Sequence, residues 1–262
     1  MGMKRSLWMM NYRLTDKTGL ITGKKAILFD VDDTLYDQTI PFKEAYAQYF
    51  GNEPAIPAEV IYPVTRKYSD QVYSQAMSGQ ITMEELYIYR VQKAFEEYNI
   101  TITVEEALAF QKVYADCQKH IHMSETMEKL LDYCSEKAEL GIITNGPSAH
   151  QWNKVRSLQA ERWIPHENIF VSGDVGAEKP DKKIFDHAKR MMKLEDAEIW
   201  FVGDSYELDM KGALNAGWNA VWMNRRGREK TDDNVKGMYE VGTEDELFEK
   251  IKEINLGYDG VE

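Results

Sequence analysis

The stretch Ala26-Ile-Leu-Phe-Asp-Val-Asp-Asp-Thr-Leu-Tyr36 decides how the chain is read. Ala26 to Phe29 is an apolar run too short for a helix, with a β-branched and an aromatic member. It predicts a strand buried on both faces. Polarity then changes abruptly, because Asp30, Asp32 and Asp33 follow at once. In an open α/β sheet, ligands sit just beyond the carboxyl ends of strands, so these carboxylates fall where a site is expected. They repel one another, and a hard cation that prefers oxygen ligands, such as Mg2+, makes that repulsion tolerable. The bland alternative is a solvated acidic turn.

Outward from this stretch the chain has two textures. From Ser124 onward, strands alternate with helices. Leu140 to Ile143, Ile169 to Val171, Ile199 to Val202 and Ala220 to Met223 read as strands. Helices are predicted around Met127, Leu130, Leu131 and Cys134, over Ser148 to Leu158, and around Ile184, Phe185, Ala188, Met191 and Met192. Two more are predicted over Met210 to Ala216 and Asp245 to Ile254. That alternation implies a parallel sheet with right-handed crossovers, joined by the strand at Ala26.

Residues 38–122 contain no clear strand. Thr82-Met-Glu-Glu85 and Thr103-Val-Glu-Glu106 fit capping boxes, a hydroxyl three residues before a carboxylate. Behind them run Tyr87, Val91, Ala94, Phe95 and Tyr98, then Ala107, Phe110, Tyr114, Cys117 and Ile121, at helical spacing. Ile61, Val64, Tyr68 and Val72 make a third stripe, and Pro41 to Phe50 a fourth helix. Such stripes are core packing first, and together they read as a helical bundle. The expected organisation is an α/β Rossmann-like core from 25–37 and 123–262, a helical cap at 38–122 inserted after the first strand, and an extension at 1–24 with no assigned function.

Three more strand ends carry polar residues. Ile142-Ile-Thr-Asn-Gly-Pro147 ends a strand in Thr144 and offers the Thr144 hydroxyl and the Asn145 and Gly146 N–H groups to phosphate oxygens. An ordinary turn explains it equally well on its own. Gly176-Ala-Glu-Lys-Pro180 precedes Asp181. Pro180 pre-sets a helix start, Asp181 suits its first turn, and a lysine such as Lys179 is usually solvated. Trp200-Phe-Val-Gly-Asp-Ser-Tyr-Glu-Leu-Asp209 places Asp204 at a strand end as Asp30 is placed. Asp204 can reach a cation directly, and Asp209 can ligate it or stand behind a ligand.

These four stretches, in this order, resemble the motifs of the haloacid dehalogenase superfamily of phosphohydrolases over roughly residues 25–225. By that resemblance Asp30 is a nucleophile, Asp32 a general acid/base, Thr144 the second motif, Lys179 the third, and Asp204 with Asp209 the fourth. The resemblance also implies one Mg2+ held by Asp30, the Asp32 backbone carbonyl and Asp204. The third motif-one position is often Gly in this family; here it is Asp33. The helical insertion between motifs one and two resembles the helical-cap subgroup. Asp30 then attacks phosphorus and forms an aspartyl phosphate, Asp32 serves the leaving alcohol and then water, and cation and lysine stabilise the transition state.

Composition agrees with this reading. The 262 residues carry a net charge of −12, which argues against a nucleic-acid polymer and an anionic membrane surface. No run reaches the length of a membrane span, and Leu7 to Met10 is too short for the core of a signal peptide, so cytoplasm is the default. Cys117 and Cys134 fall on apolar helical positions and read as buried free thiols. His120 and His122 lie two residues apart, a spacing that turns them away from each other on a helix.

A phosphoacceptor signalling domain combines similar residues but lacks the inserted block. An inactive phosphate-binding protein is expected to have lost Asp30, Asp32 or Lys179. A dehalogenase, by the resemblance, lacks the second aspartate, and a sugar phosphomutase shares most motifs. The motifs look most like cap-bearing phosphatases that include pyrimidine 5′-nucleotidases. The partner is therefore a small phosphorylated metabolite. Cap tyrosines that could stack on a base favour a nucleoside monophosphate, with sugar phosphates and phosphoglycolate as alternatives.

Overall fold

The computed structural model describes residues 23–51, 55–230 and 237–254. The extension expected at 1–24 lies almost wholly outside the described residues. The core is a six-stranded sheet of β1 (Lys25–Phe29), β2 (Glu139–Thr144), β3 (Ile169–Val171), β4 (Glu198–Gly203), β5 (Asn219–Met223) and β6 (Met238–Val241). All neighbours pair in parallel, in the order β3-β2-β1-β4-β5-β6. The order reverses direction between β1 and β4, and the crevice at such a point is where doubly wound sheets bind ligands.

Alternation of side chains fills both faces of the sheet. Ile27 and Phe29 of β1 join a core with Trp200, Val202, Val221 and Met223. That core packs under α5 (Glu125–Ser135), α6 (Ser148–Ser157) and α10 (Glu244–Glu253). Ala26 and Leu28 face the opposite side with Phe201, Ala220 and Trp222, against α8 (Lys182–Met191) and α9 (Lys211–Asn215). A four-residue helix, α7 (Ser172–Val175), follows β3.

Four helices follow β1: α1 (Thr39–Phe50), α2 (Ala58–Met77), α3 (Met83–Glu96) and α4 (Val104–Cys117). They enclose an aromatic-rich core of their own that includes Phe42, Tyr46, Tyr62, Phe95, Phe110 and Tyr114. Both capping boxes form, with Thr82 accepting from Glu85 N and Thr103 from Glu106 N. Satisfying those orphan amides stabilises each helix start by about 1 kcal/mol.

The structure corrects several boundaries. Tyr98 lies beyond α3, because Asn99 turns left-handed at φ +58° and the helix cannot continue through it. Ile121 lies beyond α4, which ends at Cys117 and passes into a 3-10 turn over Gln118–His120. Pro180 does not start α8; Asp181 caps it by accepting from Lys183 N, which satisfies an orphan donor that Pro180 could not. Strand β6 was invisible in the sequence because it is an edge strand with two exposed residues and no apolar run. Cys117 and Cys134 are buried and free, as expected. Among the described residues, no helix is long and apolar enough to cross a membrane.

Candidate active site

Strands β1 and β4 end side by side. Asp30 follows β1, and its N–H donates to Val202 O at 2.8 Å, which locks the two ends together. Asp204 follows β4, where Trp222 Nε1 donates to its carbonyl at 2.8 Å. After Ser205 the chain makes a π-helical turn, Tyr206–Met210, that runs into α9. This turn aims Asp209 back at the strand end, where Ser205 N donates to its carboxylate at 2.9 Å. Gly203 permits the approach, since a Cβ there would collide with the Asp209 carboxylate.

Lys179 reaches this cluster from the loop before α8. Its Nζ donates to Asp30 Oδ1 at 2.6 Å. It also forms an ion pair with Asp209 Oδ1 at 2.7 Å. Asn145 grips the backbone of Lys179 from both sides: Asn145 Oδ1 accepts from Lys179 N, and Nδ2 donates to Lys179 O, each at 2.9 Å. Asn145 thus sets the place of the lysine. The Gly146 N–H donates to Ser172 Oγ at 2.9 Å, so it is spent on the loop rather than offered to a phosphate, and that part of the expectation does not hold. Thr144, buried at the end of β2, lines the same cavity.

Asp32 is held differently. Lys154 of α6 lies 2.6 and 2.5 Å from its two oxygens. Tyr36 donates to it at 2.6 Å and Gln151 at 3.2 Å. Burial pushes this carboxyl upward, but the Lys154 ammonium and these donors outweigh it and hold Asp32 well below the usual carboxylate range. Asp33 turns away from the cavity. It adopts φ +57°, a region Gly or Asp enters with least strain. Its carboxylate pairs with Arg226 at 2.8 Å and accepts from Gln38 N at 2.9 Å. Arg225 donates to the carbonyls of Asp33 and Thr34. The loop between β1 and α1 is therefore tied down by two arginines that follow β5.

Asp30, Asp204 and Asp209 bring oxygens within 4.8 Å of one another, a group that could hold a metal ion. Burial pushes Asp30 up to about 7, with Lys179 opposing and Asp209 and Asp32 adding to the rise. Burial, Asp33, Asp209 and Asp30 push Asp204 well above the usual range, and Arg228 at 3.2 Å offsets this only in part. Carboxylates therefore outnumber the cations beside them. An all-oxygen donor set short of positive charge fits a hard divalent cation such as Mg2+. Bound there, the cation would return Asp30 to its ionised form.

These groups floor a cavity of about 210 Å³ walled by both the sheet and the four-helix block. The helices contribute Arg66, Tyr73, Tyr87, Arg90 and Tyr114. Sequence reasoning missed Lys154, Gln151 and Arg90. The signals were faint: Gln151 and Lys154 share a helix face three residues apart, and Arg90 sits four residues from both Leu86 and Ala94. His120 and His122 lie outside this cavity, beside a small recess with Tyr36 and Cys117.

A family model described as haloacid dehalogenase-like hydrolase matches residues 24–217. The chain belongs to that family. Among curated relatives of this hydrolase, the glyceraldehyde 3-phosphate phosphatase of Methanopyrus kandleri is 28% identical over 245 residues, covering 88% of this chain and 98% of its own. The pyrimidine 5′-nucleotidase YjjG of Escherichia coli is 36% identical over 104 residues, 39% of this chain and 45% of that protein. The crystal structure of the HAD-hydrolase YfnB from Bacillus subtilis, bound to magnesium, superposes with a TM-score of 0.65 at 22% identity. It covers 87% of this chain and 99% of that one, and at that identity it supports the fold.

Proposed function

We propose that this hydrolase cleaves a small phosphomonoester through an aspartyl phosphate on Asp30, with Mg2+ held by Asp30, the Asp32 carbonyl, Asp204 and Asp209. The observation that carries the reading is Lys179 bridging Asp30 and Asp209 beside Asp204 at the floor of the cavity. Such a site neutralises an incoming phosphate and holds Asp30 where one of its oxygens can attack phosphorus. Mg2+, when bound, supplies further positive charge to the phosphoryl oxygens. Lys179 keeps its proton throughout: burial pulls its pKa down, but Asp209 and Asp30 raise it more.

Asp32 serves the two proton transfers. Paired with Lys154 it is ionised, the form that takes a proton from the water attacking the aspartyl phosphate. For the first step Asp32 must first take up a proton, from solvent or from the entering phosphate monoanion, as the Lys154 pair loosens, and it then passes that proton to the leaving alcohol. The four-helix block excludes bulk water from both steps.

The relatives named above act on glyceraldehyde 3-phosphate and on pyrimidine nucleotides, both small phosphorylated metabolites. Tyr73 and Tyr87 line the cavity and favour a nucleoside 5′-monophosphate, since a stacked base gains roughly 1–3 kcal/mol. Tyr46 and Tyr62 are buried in the cap core and do not contribute to that argument.

The test is phosphate release from nucleoside monophosphates, sugar phosphates and phosphoglycolate with Mg2+. Free phosphate rather than an isomerised ester separates hydrolase from mutase. Asp30→Asn is expected to abolish turnover with the circular dichroism spectrum unchanged, and chelation to abolish it reversibly. Near-wild-type activity in Asp30→Asn, or full activity in excess chelator, overturns the mechanism.

A further inference from the structure

Arg90 lies on the buried side of α3, four residues from Leu86 and from Ala94, which are both buried. The residue is 8% exposed, where a charged side chain is seldom found without a counter-charge. Its guanidinium offers five N–H donors in a planar fork. One nitrogen donates to Gln111 Oε1 at 2.6 Å. Nε is buried with no partner. The guanidinium carbon stands 5.0 and 5.7 Å from the ring centroids of Tyr87 and Tyr114. Among the described residues no carboxylate pairs with Arg90, although the side chain lines the cavity that ends on Asp30 and Lys179.

A buried guanidinium with donors left over costs free energy until an acceptor arrives. Packing alone would be met by Leu or Met, and the two tyrosine rings leave the fork edge unsatisfied. Arg66 on α2 lines the same wall, but it already faces Asp70 at 3.4 Å. Among the described residues of this wall Arg90 is therefore left unmatched, and one monoanion would match it. A planar carboxylate fits a guanidinium fork in two parallel hydrogen bonds, whereas a phosphate dianion would need a second free cation that this wall does not offer.

We propose that Arg90 is a specificity-determining residue that binds a carboxylate on the leaving group, so that the substrate is a phosphorylated acid rather than the phosphate ester of an uncharged alcohol. This rests on the phosphohydrolase reading and adds to it the chemistry of the substrate's far end. It competes with the reading as an ordinary nucleoside monophosphate, because the common nucleobases carry no carboxylate.

The experiment compares matched esters on the full chain with Mg2+: 6-phosphogluconate against sorbitol 6-phosphate, and 3-phosphoglycerate against glycerol 3-phosphate. In the wild type, kcat/KM for the acid is expected to exceed that for its neutral partner by at least tenfold in one pair. Arg90→Met is expected to bring this ratio to within about twofold, chiefly through KM, and Arg90→Lys to keep part of it. The ratio is internal to each variant, so partial misfolding, which lowers both rates, does not imitate the effect. In parallel, inhibition of wild-type p-nitrophenyl phosphate hydrolysis by gluconate is compared with inhibition by sorbitol; gluconate alone is expected to compete. Equal turnover of acid and neutral esters in the wild type, an undiminished ratio in Arg90→Met, or a preference for fructose 1,6-bisphosphate over both acids overturns the proposal. If no phosphate ester is turned over, the phosphohydrolase reading falls by itself. Thermal stabilisation by gluconate but not sorbitol, lost in Arg90→Met, still supports the carboxylate site, and equal stabilisation rejects it.

Discussion

Lys154 Nζ lies 2.6 Å from Asp32 Oδ1 and 2.5 Å from Oδ2, across 122 residues of sequence. The ammonium is nearly buried, with its side chain 5% exposed against 22% for Asp32. The pair therefore keeps Asp32 ionised and points it along the wall of the cavity. Asp30, two residues earlier, meets a different lysine and the opposite shift. Two carboxylates on one short loop are thus set for different work: burial outweighs Lys179 at Asp30, whereas Lys154 and its neighbours outweigh burial at Asp32.

Lys154→Met is expected to slow the water step more than the formation of the aspartyl phosphate. Lost general-base help is worth about 10²–10⁴-fold in rate. Stopped-flow measurement with p-nitrophenyl phosphate should show a burst of p-nitrophenol followed by a slow steady state. Leaving Asp32 without its cation also costs about 3 kcal/mol of stability. A steady-state rate equal to wild type, with no burst, shows that the pair does not serve the second step.

Gly203→Ala places a methyl group against the Asp209 carboxylate. Asp209 must then move away from Lys179 and from the metal cluster. The Mg2+ concentration for half-maximal activity is expected to rise at least about tenfold, and overpacking should lower stability by about 1–3 kcal/mol. Activity titrated with Mg2+, alongside thermal melting, reads both. An unchanged Mg2+ requirement removes Asp209 from the cation site.

His150 lines the cavity one turn before Lys154. Burial, with help from the Lys154 charge, lowers its pKa from 6.5 to about 4. The folded protein therefore binds fewer protons here than the unfolded chain. The stability this group contributes is present above pH 6.5 and is lost as pH falls from 6.5 through 4. His150→Gln should flatten the fall in melting temperature between pH 7 and 4 relative to wild type. Parallel curves for the two proteins contradict a half-buried imidazole held neutral at this position.

Strand ends were the most legible part of the chain. Asp30, Thr144 and Asp204 each follow an apolar run that can only be a buried strand, and a parallel sheet brings such ends to one edge. Lys179 and Asp209 were legible by motif, and the structure unites them in one ion-paired cluster. The roles offered to Asn145 and Gly146 were less legible. A turn sequence does not reveal whether an amide faces a ligand or a neighbouring loop: here the Gly146 N–H bonds Ser172, while the Asn145 side chain clamps Lys179.

The sequence by itself determined the alternation of buried strands and amphipathic helices, the helical insertion after the first strand, and the carboxylates that end β1 and β4. These are local properties, written in runs, periods and caps a few residues long. Only the tertiary structure decided that Lys154 grips Asp32, that Arg225 and Arg226 anchor the loop at Asp33, that β6 forms an edge of the sheet, and that Arg90 stands in the cavity wall with no counter-charge among the described residues. Each of these joins residues far apart in sequence or depends on which way a helix face turns. A lysine or arginine on a helix has the same local signature whether it meets water or a buried carboxylate, and packing alone chooses between them.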